Sequence, residues 1–207
     1  MDSKIKKKTR QEQKETTRNL ILEISKKLFL EQGYEKTTMR MIAKKACVAT
    51  GTAFTHFPDK RSILMEALFT DIQDTVIRAM ESMPSNGNFI HILTHIAGQL
   101  FEHYAKTPEL SKLMIKESLF SEGTGNDRIV TQFFSFGRLA QGLLENAQQR
   151  GELHPDSDCS LLAQSFMAHY FYSITFGLRF KTDVNAQNET FKKHLDALFF
   201  GHILTRK

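Results

Sequence analysis

Side chains that could read a nucleic acid are concentrated in one stretch of this sequence, residues 37–64. Apolar residues recur three and four positions apart over 39–46, and basic residues fall on the other faces, which predicts a short amphipathic helix. A second short helix is predicted over 49–57. Phe54 and Phe57 are expected to face inward there, and small or polar side chains to face outward. Such side chains allow close approach to base edges in a major groove, and Thr or Ala can contact a thymine methyl.

The residues on either side of these two patterns complete the prediction of a helix-turn-helix. Thr37 or Thr38 can cap the first short helix. Pro58 ends the second, Asp59 can cap a third, and Lys60 in its first turn is placed for a phosphate contact. The predicted contacts to double-stranded DNA are Thr37, Thr38, Arg40, Lys44, Ala49, Thr50, Thr52, Ala53, Thr55, His56 and Lys60.

The segment from Arg18 to Leu64 resembles the DNA-binding domain of TetR-family transcriptional regulators. The resemblance rests on three motifs, LF-x-x-x-GY-x-x-TT, IA-x-x-A-x-V and GT-x-F-x-HF. They match the family pattern in order, and no gap is needed to align them. It implies an all-α chain with a three-helix DNA-binding head and a larger helical body for ligand binding and dimerisation. It also implies that the last two helices pair with their copies in a second subunit as a four-helix bundle.

Three residues depart from the family pattern. Cys47 stands where Gly is usual, so the turn either avoids positive φ or is strained there. Ala49 replaces a common capping Ser, a loss of roughly 1 kcal/mol of local helix stability. Thr55 replaces an aromatic residue, which removes any phosphate contact by a Tyr hydroxyl at that position.

The charge distribution points to the same end of the chain. Residues 1–61 contain 15 Lys and Arg against 7 Asp and Glu, whereas the remaining residues contain 13 against 16. A basic head is what phosphate binding requires. We therefore expect a mobile basic arm over 1–15, a helix-turn-helix domain over 16–62 and a ligand-binding and dimerisation domain over 63–207.

The amino terminus and the cysteines bear on the compartment. No apolar run follows the first lysines, and no segment has the length of a membrane span, so neither a secretory signal nor a membrane anchor is predicted. The chain has only two cysteines, Cys47 and Cys159, which fits a reducing compartment. A cytoplasmic location is therefore expected.

Helical periodicity and the prolines divide the predicted body into further helices. The expected ranges are 59–83, 89–104, 109–120, 127–149, 156–180 and 189–204, and each of the four prolines falls between two patterns. The helix over 156–180 is apolar around much of its girth and must be covered on two sides. The predicted dimer interface consists of Phe166, Tyr170, Ile174, Leu195 and Phe199. The alternative is that these two helices only cover the core of the monomer.

Seventeen phenylalanines and no tryptophan make the body rich in aromatic side chains. In this family the corresponding helices line a ligand cavity, and such cavities are mainly apolar with a few polar groups. The predicted ligand contacts are His95, Phe101, Tyr104, Glu117, Phe133 and Phe136. The alternative is a tightly packed aromatic core without a cavity.

No motif in the sequence predicts catalysis, a cofactor or a metal. His91 and His95 lie four residues apart on a predicted helix, but no third metal ligand is evident. Phosphate-binding glycine loops, nucleophile elbows and HExxH motifs are lacking.

From the helix-turn-helix pattern and the family resemblance, we predict a homodimeric repressor that is released from a palindromic operator by a small, largely apolar effector. The alternative is a helical small-molecule-binding protein or enzyme, which would not bind duplex DNA with steep salt dependence.

Overall fold

The computed structural model describes residues 9–84, 87–120 and 128–204. Within these ranges the chain is helical and contains no strand, apart from an isolated bridge between Leu153 and Ile203, which confirms the predicted all-α class. The helices are α1 Arg10–Gln32, α2 Met39–Lys45, α3 Thr50–His56, α4 Lys60–Glu81, α5 Phe89–Lys106, α6 Pro108–Phe120, α7 Arg128–Gln149, α8 Cys159–Phe180 and α9 Val184–Phe199.

The first helix begins earlier than the sequence pattern indicates. Residues 10–15, expected to belong to a mobile arm, are helical because Thr9 and Glu12 form a capping box. The Glu12 amide donates to Oγ1 of Thr9 at 3.2 Å, and the Thr9 amide donates to the Glu12 carboxylate at 2.7 Å. The predicted arm is therefore wrong for residues 10–15, and residues 1–8 lie outside the described ranges.

The chain divides into two compact units, Met1–Leu68 and Phe69–Lys207, and the division falls within α4. In the first unit, α1 packs on α2, and α2 packs on α3. Two helices of seven residues are not stable alone, so they depend on this packing. The side chains buried between the helices include Ile21, Phe29, Ile42, Phe57 and Ile63.

The second unit is built around α5, which packs on α6, α7, α8 and α9. Its largest buried side chains are aromatic. The ring of Tyr170 on α8 lies 4.9 Å from the ring of Phe136 on α7, and the ring of Phe101 on α5 lies 5.3 Å from that of Phe191 on α9. Many of the aromatic side chains of the body are therefore core residues.

Side-chain caps determine where the last helices begin. Asp158 accepts from the Leu161 amide at the start of α8, and Asp183 accepts from the amides of Asn185 and Ala186 at the start of α9. α9 thus begins five residues before the predicted position, because the Asp183 cap starts the helix ahead of the large apolar residues that begin at Phe191.

Candidate nucleic-acid interface, ligand cavity and dimer face

The turn between α2 and α3 has the strained form of the two that the sequence allowed. Thr38 caps α2 by accepting from the Met41 amide at 3.2 Å. Cys47 follows the end of α2 with φ +54°, a left-handed conformation that costs a residue other than Gly about 1 kcal/mol. Ala49 begins α3 without a side-chain cap, as its side chain predicts.

The inner and outer faces of α3 differ from the predicted ones. Ala53, expected to face the bases, is fully buried, and Phe54, expected to face inward, is 48% exposed. The reason is helix phase: Ala53 and Phe57 are four residues apart and share the inner face, whereas Phe54 lies about 100° around the helix from Ala53. Ala49, Thr50 and Thr55 are exposed.

Thr37 is a second correction among the predicted DNA contacts. It is fully buried, and its hydroxyl donates to the Gly33 carbonyl at 2.9 Å and accepts from Nε2 of Gln32 at 3.1 Å. These bonds close the turn between α1 and α2. Thr37 is therefore a structural residue of the unit, whereas Thr38, Arg40 and Lys44 are exposed on the same segment.

Arg18 positions α3, a role that sequence reasoning missed. Its Nη1 donates to the backbone carbonyl of His56 at 2.8 Å, its guanidinium lies 4.2 Å from the centroid of the Phe57 ring, and Nη2 forms an ion pair with Glu66. The carbonyls of the last turn of a helix lack partners within the helix. One side chain thus joins α1, the end of α3 and α4. Arg18 is three residues from Ile21 and eleven from Phe29, which places it on the buried side of α1, and this spacing was the available signal.

Lys60 contacts the turn after α1 as well as standing at the start of α4. Its Nζ donates to the carbonyl oxygens of Tyr34 at 2.8 Å and Glu35 at 3.3 Å, and it lies 4.2 Å from the centroid of the Tyr34 ring. An ammonium group has three hydrogens. Two carbonyl bonds leave one hydrogen. The exposed Glu35 carboxylate lies 3.9 Å from Nζ, and a phosphate that takes its place would be compatible with the two carbonyl bonds.

His56, at the end of α3, is held in a neutral form. Burial, followed by the nearby charges of Arg18 and Lys14, lowers the pKa of its imidazole below the usual 6.5. Its Nδ1 is buried and has no hydrogen-bond partner among the described residues. At neutral pH, His56 therefore adds no positive charge to α3. Thr52, another of the predicted DNA contacts, is half-buried.

The second unit contains an apolar cavity of about 70 Å³. Tyr104, Phe133 and Phe136, three of the predicted ligand contacts, line it together. The full lining comes from α4, α5, α6, α7 and α8: Ile72, Val76, Leu100, Tyr104, Met114, Ile115, Phe133, Phe136, Tyr170, Phe171 and Ile174.

The other predicted ligand contacts lie elsewhere. Phe101 lines a separate, larger pocket of about 280 Å³ at the α8–α9 turn, and Tyr104 and Ile174 line both spaces. His95 faces a polar groove between α5 and α9, and its Nε2 lies 3.0 Å from Oγ of Ser82. Glu117 is half-buried on α6 and lines none of these three spaces. Within the part of the chain that the structure describes, no three His, Cys, Asp or Glu side chains could hold a metal ion.

The predicted dimer contacts belong to the core of the protomer, which is a further correction. The five side chains are each at most 4% exposed: Phe166, Tyr170, Ile174, Leu195 and Phe199. They recur every four residues along the inner faces of α8 and α9, so their spacing indicated a buried stripe without indicating what covers it.

A different apolar set is exposed on the opposite side of α8. Leu161, Tyr172, Phe176 and Phe180 are each between 46% and 66% exposed, and the rings of Tyr172 and Phe176 stack at 4.3 Å. On α9, the ring of His194 lies 5.9 Å from that of Tyr172. We call the exposed side chains of Leu161, Tyr172, Phe176 and Phe180 the outer face of α8.

Comparison with known proteins identifies the first unit. Residues 21–67 match the family model described as bacterial regulatory proteins, tetR family. These residues form a DNA-binding domain of the TetR family. Within this domain, Ala53 of α3 is buried and Phe54 is exposed.

Similarity to known regulators extends over most of the chain. The HTH-type transcriptional regulator UidR of Escherichia coli (strain K12) is 21% identical over 201 residues, which cover 94% of this chain and 96% of UidR. The crystal structure of Thermus thermophilus FadR, a TetR-family repressor in complex with lauroyl-CoA, has a TM-score of 0.68 at 24% identity over 92% of this chain and 96% of FadR.

A second solved structure supports the same fold. FadR of Bacillus subtilis, in complex with stearoyl-CoA, has a TM-score of 0.69 at 20% identity over 86% of this chain and 96% of that one. At these identities the structural likeness establishes the fold. Within the described ranges, no helix is long and apolar enough to cross a membrane.

Proposed function

We propose that this protein is a homodimeric repressor that binds a palindromic operator and is released by a small effector with an apolar chain. The supporting observation is that one helix serves both units. α4 begins with Lys60, which is bonded to the turn after α1, and its later residues Ile72 and Val76 line the cavity of the second unit. A ligand that shifts the later turns of α4 therefore acts on the helix to which the DNA-reading unit is attached.

The DNA-reading surface consists of the exposed residues of α2 and α3. We assign base contacts to Ala49, Thr50, Phe54 and Thr55, which are exposed on or beside α3. Arg40 and Lys44 on α2 and the remaining hydrogen of Lys60 are assigned to phosphates. These cationic contacts give affinity on any sequence, whereas the α3 face gives specificity.

The cavity lining supports an effector with an apolar chain. All eleven lining residues are uncharged, and nine of them are aliphatic, thioether or phenylalanine side chains. Two neighbours of the same fold hold lauroyl-CoA and stearoyl-CoA. A fatty acyl thioester is therefore the first effector to test. With about 70 Å³ available, an acyl chain requires side chains to move, and the partly exposed Phe133 and Phe171 are the candidates.

Dimerisation is assigned to the outer face of α8 together with α9. Four large apolar side chains exposed along one helix favour burial against a second copy, because each fully buried side chain contributes about 1.5–3 kcal/mol. An isologous dimer presents two α3 helices related by twofold symmetry, and this symmetry requires an operator with inverted half-sites. A repressor of this kind acts on chromosomal DNA, so cytoplasmic location is part of the proposal.

The proposal is tested by selecting bound sequences from random duplex DNA and measuring their affinity at several salt concentrations. A repressor of this kind selects an inverted repeat and binds it with an affinity that falls steeply with salt. The alternative, a helical small-molecule-binding protein or enzyme without DNA-binding activity, selects no sequence and shows no such dependence.

A further inference from the structure

Two phenol hydroxyls are the main polar groups in an otherwise apolar cavity. Tyr104 on α5 and Tyr170 on α8 both line it, and they are 8% and 4% exposed. The lining contains no carboxylate, ammonium, guanidinium or imidazole group. The two tyrosines are therefore the side chains that determine which polar group of a ligand the cavity accepts.

The tyrosine rings are held in place by aromatic neighbours. The ring of Tyr170 lies 4.9 Å from that of Phe136 and is stacked on that of Phe101 at 5.8 Å. Replacing either tyrosine by phenylalanine keeps these ring contacts and removes only the hydroxyl. A change in ligand preference on such a replacement therefore reports on the hydroxyl itself.

Each of the two phenol groups carries one hydrogen, which it can donate to an acceptor inside the cavity. Burial raises the pKa of Tyr104 to about 12 and that of Tyr170 well above 10. Both groups thus keep their hydrogens at any pH at which the protein would work.

We propose that the cavity selects an effector whose buried part is uncharged and carries one hydrogen-bond acceptor, which accepts from the Tyr104–Tyr170 pair. Carbonyl oxygens of ketones, esters and thioesters have this chemistry. This inference rests on the proposed effector role of the cavity and specifies the chemistry of its ligand.

A carboxylate is excluded by the same lining. A buried charge is costly unless it is paired, and none of the eleven lining side chains carries a positive charge. A purely hydrocarbon ligand fills the space but offers the hydroxyl hydrogens no acceptor, which also carries a penalty. The cavity therefore distinguishes a free fatty acid from its ester by charge, and an ester from an alkane by one hydrogen bond.

The test uses three probes with nine non-hydrogen atoms each and nearly the same shape: acetophenone, isopropylbenzene and benzoate. Binding of each probe to the full chain is measured at pH 7.5 by ligand-observed NMR titration. The proteins compared are the wild type, Tyr104→Phe, Tyr170→Phe and the double variant. Tyr34→Phe is the matched control, because Tyr34 lies in the first unit, so this variant loses a phenol hydroxyl outside the cavity.

We expect the double variant to bind acetophenone about fivefold to tenfold more weakly than the wild type, and isopropylbenzene no more weakly than the wild type. The two single variants identify the hydroxyl that donates, and Tyr34→Phe changes the affinity of neither probe. Benzoate binds the wild type at least tenfold more weakly than acetophenone.

Three results would overturn the inference: equal losses for acetophenone and isopropylbenzene in the double variant, benzoate binding as tight as acetophenone, or no binding by any probe. If the double variant does not fold, Tyr170→Phe alone decides by the same comparison. These failures are distinct from failure of the proposed repressor function, which is judged by operator selection without any probe.

Discussion

Arg18 on α1 donates a hydrogen bond from Nη1 to the backbone carbonyl of His56, the last residue of α3, at 2.8 Å. The same guanidinium stacks on the Phe57 ring and forms an ion pair with Glu66 on α4. α3 has only seven residues, so its direction is set by such contacts from outside the helix. The geometry of the DNA-reading surface thus depends on a residue that does not belong to it.

Replacing Arg18 tests this role. Arg18→Met keeps part of the apolar stem but leaves the His56 carbonyl and the half-buried Glu66 without their charged partner. We expect a loss of about 1–2 kcal/mol in the free energy of unfolding, at the lower end for a charged bond because the pair is partly exposed. Urea unfolding measures it. Arg179→Met, at an exposed arginine on α8, should change stability by no more than about 0.5 kcal/mol. Equal effects of the two changes would contradict the positioning role.

Ala53 and Phe54 give opposite predictions although they are neighbours on α3. Ala53→Leu inserts a larger side chain into a fully packed site and should lower the free energy of unfolding by about 1–3 kcal/mol. Phe54→Ala, on the exposed face, should leave unfolding nearly unchanged and weaken operator binding. Urea unfolding and fluorescence anisotropy with the selected operator measure the two effects. The reverse pattern would restore the inner and outer faces that the sequence alone predicts.

Lys60→Ala should weaken binding to all DNA sequences alike. Loss of one phosphate contact lowers the slope of log affinity against log salt by about 1, and it changes no base preference. Lys193→Ala, at an exposed lysine on α9, is the matched control. Weaker binding with an unchanged salt slope would mean that Lys60 acts only through its bonds to the Tyr34 and Glu35 carbonyls, and that the phosphate assignment is wrong.

Two phenylalanines on α8 separate dimerisation from core packing. Phe176→Glu places a charge on the outer face of α8 and should yield folded monomers that bind the operator weakly, since each monomer reads one half-site. Phe166→Ala creates a cavity in the core and should cost about 3–5 kcal/mol of stability. Sedimentation velocity and helical circular dichroism distinguish the cases. A Phe176→Glu protein that remains dimeric at micromolar concentration would rule out this face as the interface.

The sequence predicted the existence and order of the helices better than the direction of their faces. Prolines and apolar spacing mark each helix, but a pattern with period 3.6 does not identify what an apolar face contacts. In α3 the single residue step between Ala53 and Phe54 reverses the assignment, and in α8 the stripe containing Phe166 packs on the protomer's own helices.

The start of α1 had a signal in the sequence, whereas the pair of tyrosines in the cavity had none. The Thr9-x-x-Glu12 capping box was present in the sequence and marks the start of α1, although the surrounding lysines suggested an arm. The Tyr104–Tyr170 pair had no such signal, because it brings together residues 66 positions apart on different helices. Contacts of that range depend on how helices pack, which local periodicity does not encode.

We propose that occupation of the cavity and operator binding are coupled through α4. The most direct measurement is calorimetry of lauroyl-CoA binding to the full chain, with and without the selected operator, paired with operator titrations with and without saturating lauroyl-CoA. Coupling of this kind is typically about 1–3 kcal/mol and must be reciprocal. We predict that operator weakens lauroyl-CoA binding by the same factor, roughly fivefold to 150-fold, by which lauroyl-CoA weakens operator binding. Equal lauroyl-CoA affinities in the free and operator-bound protein would contradict the claim.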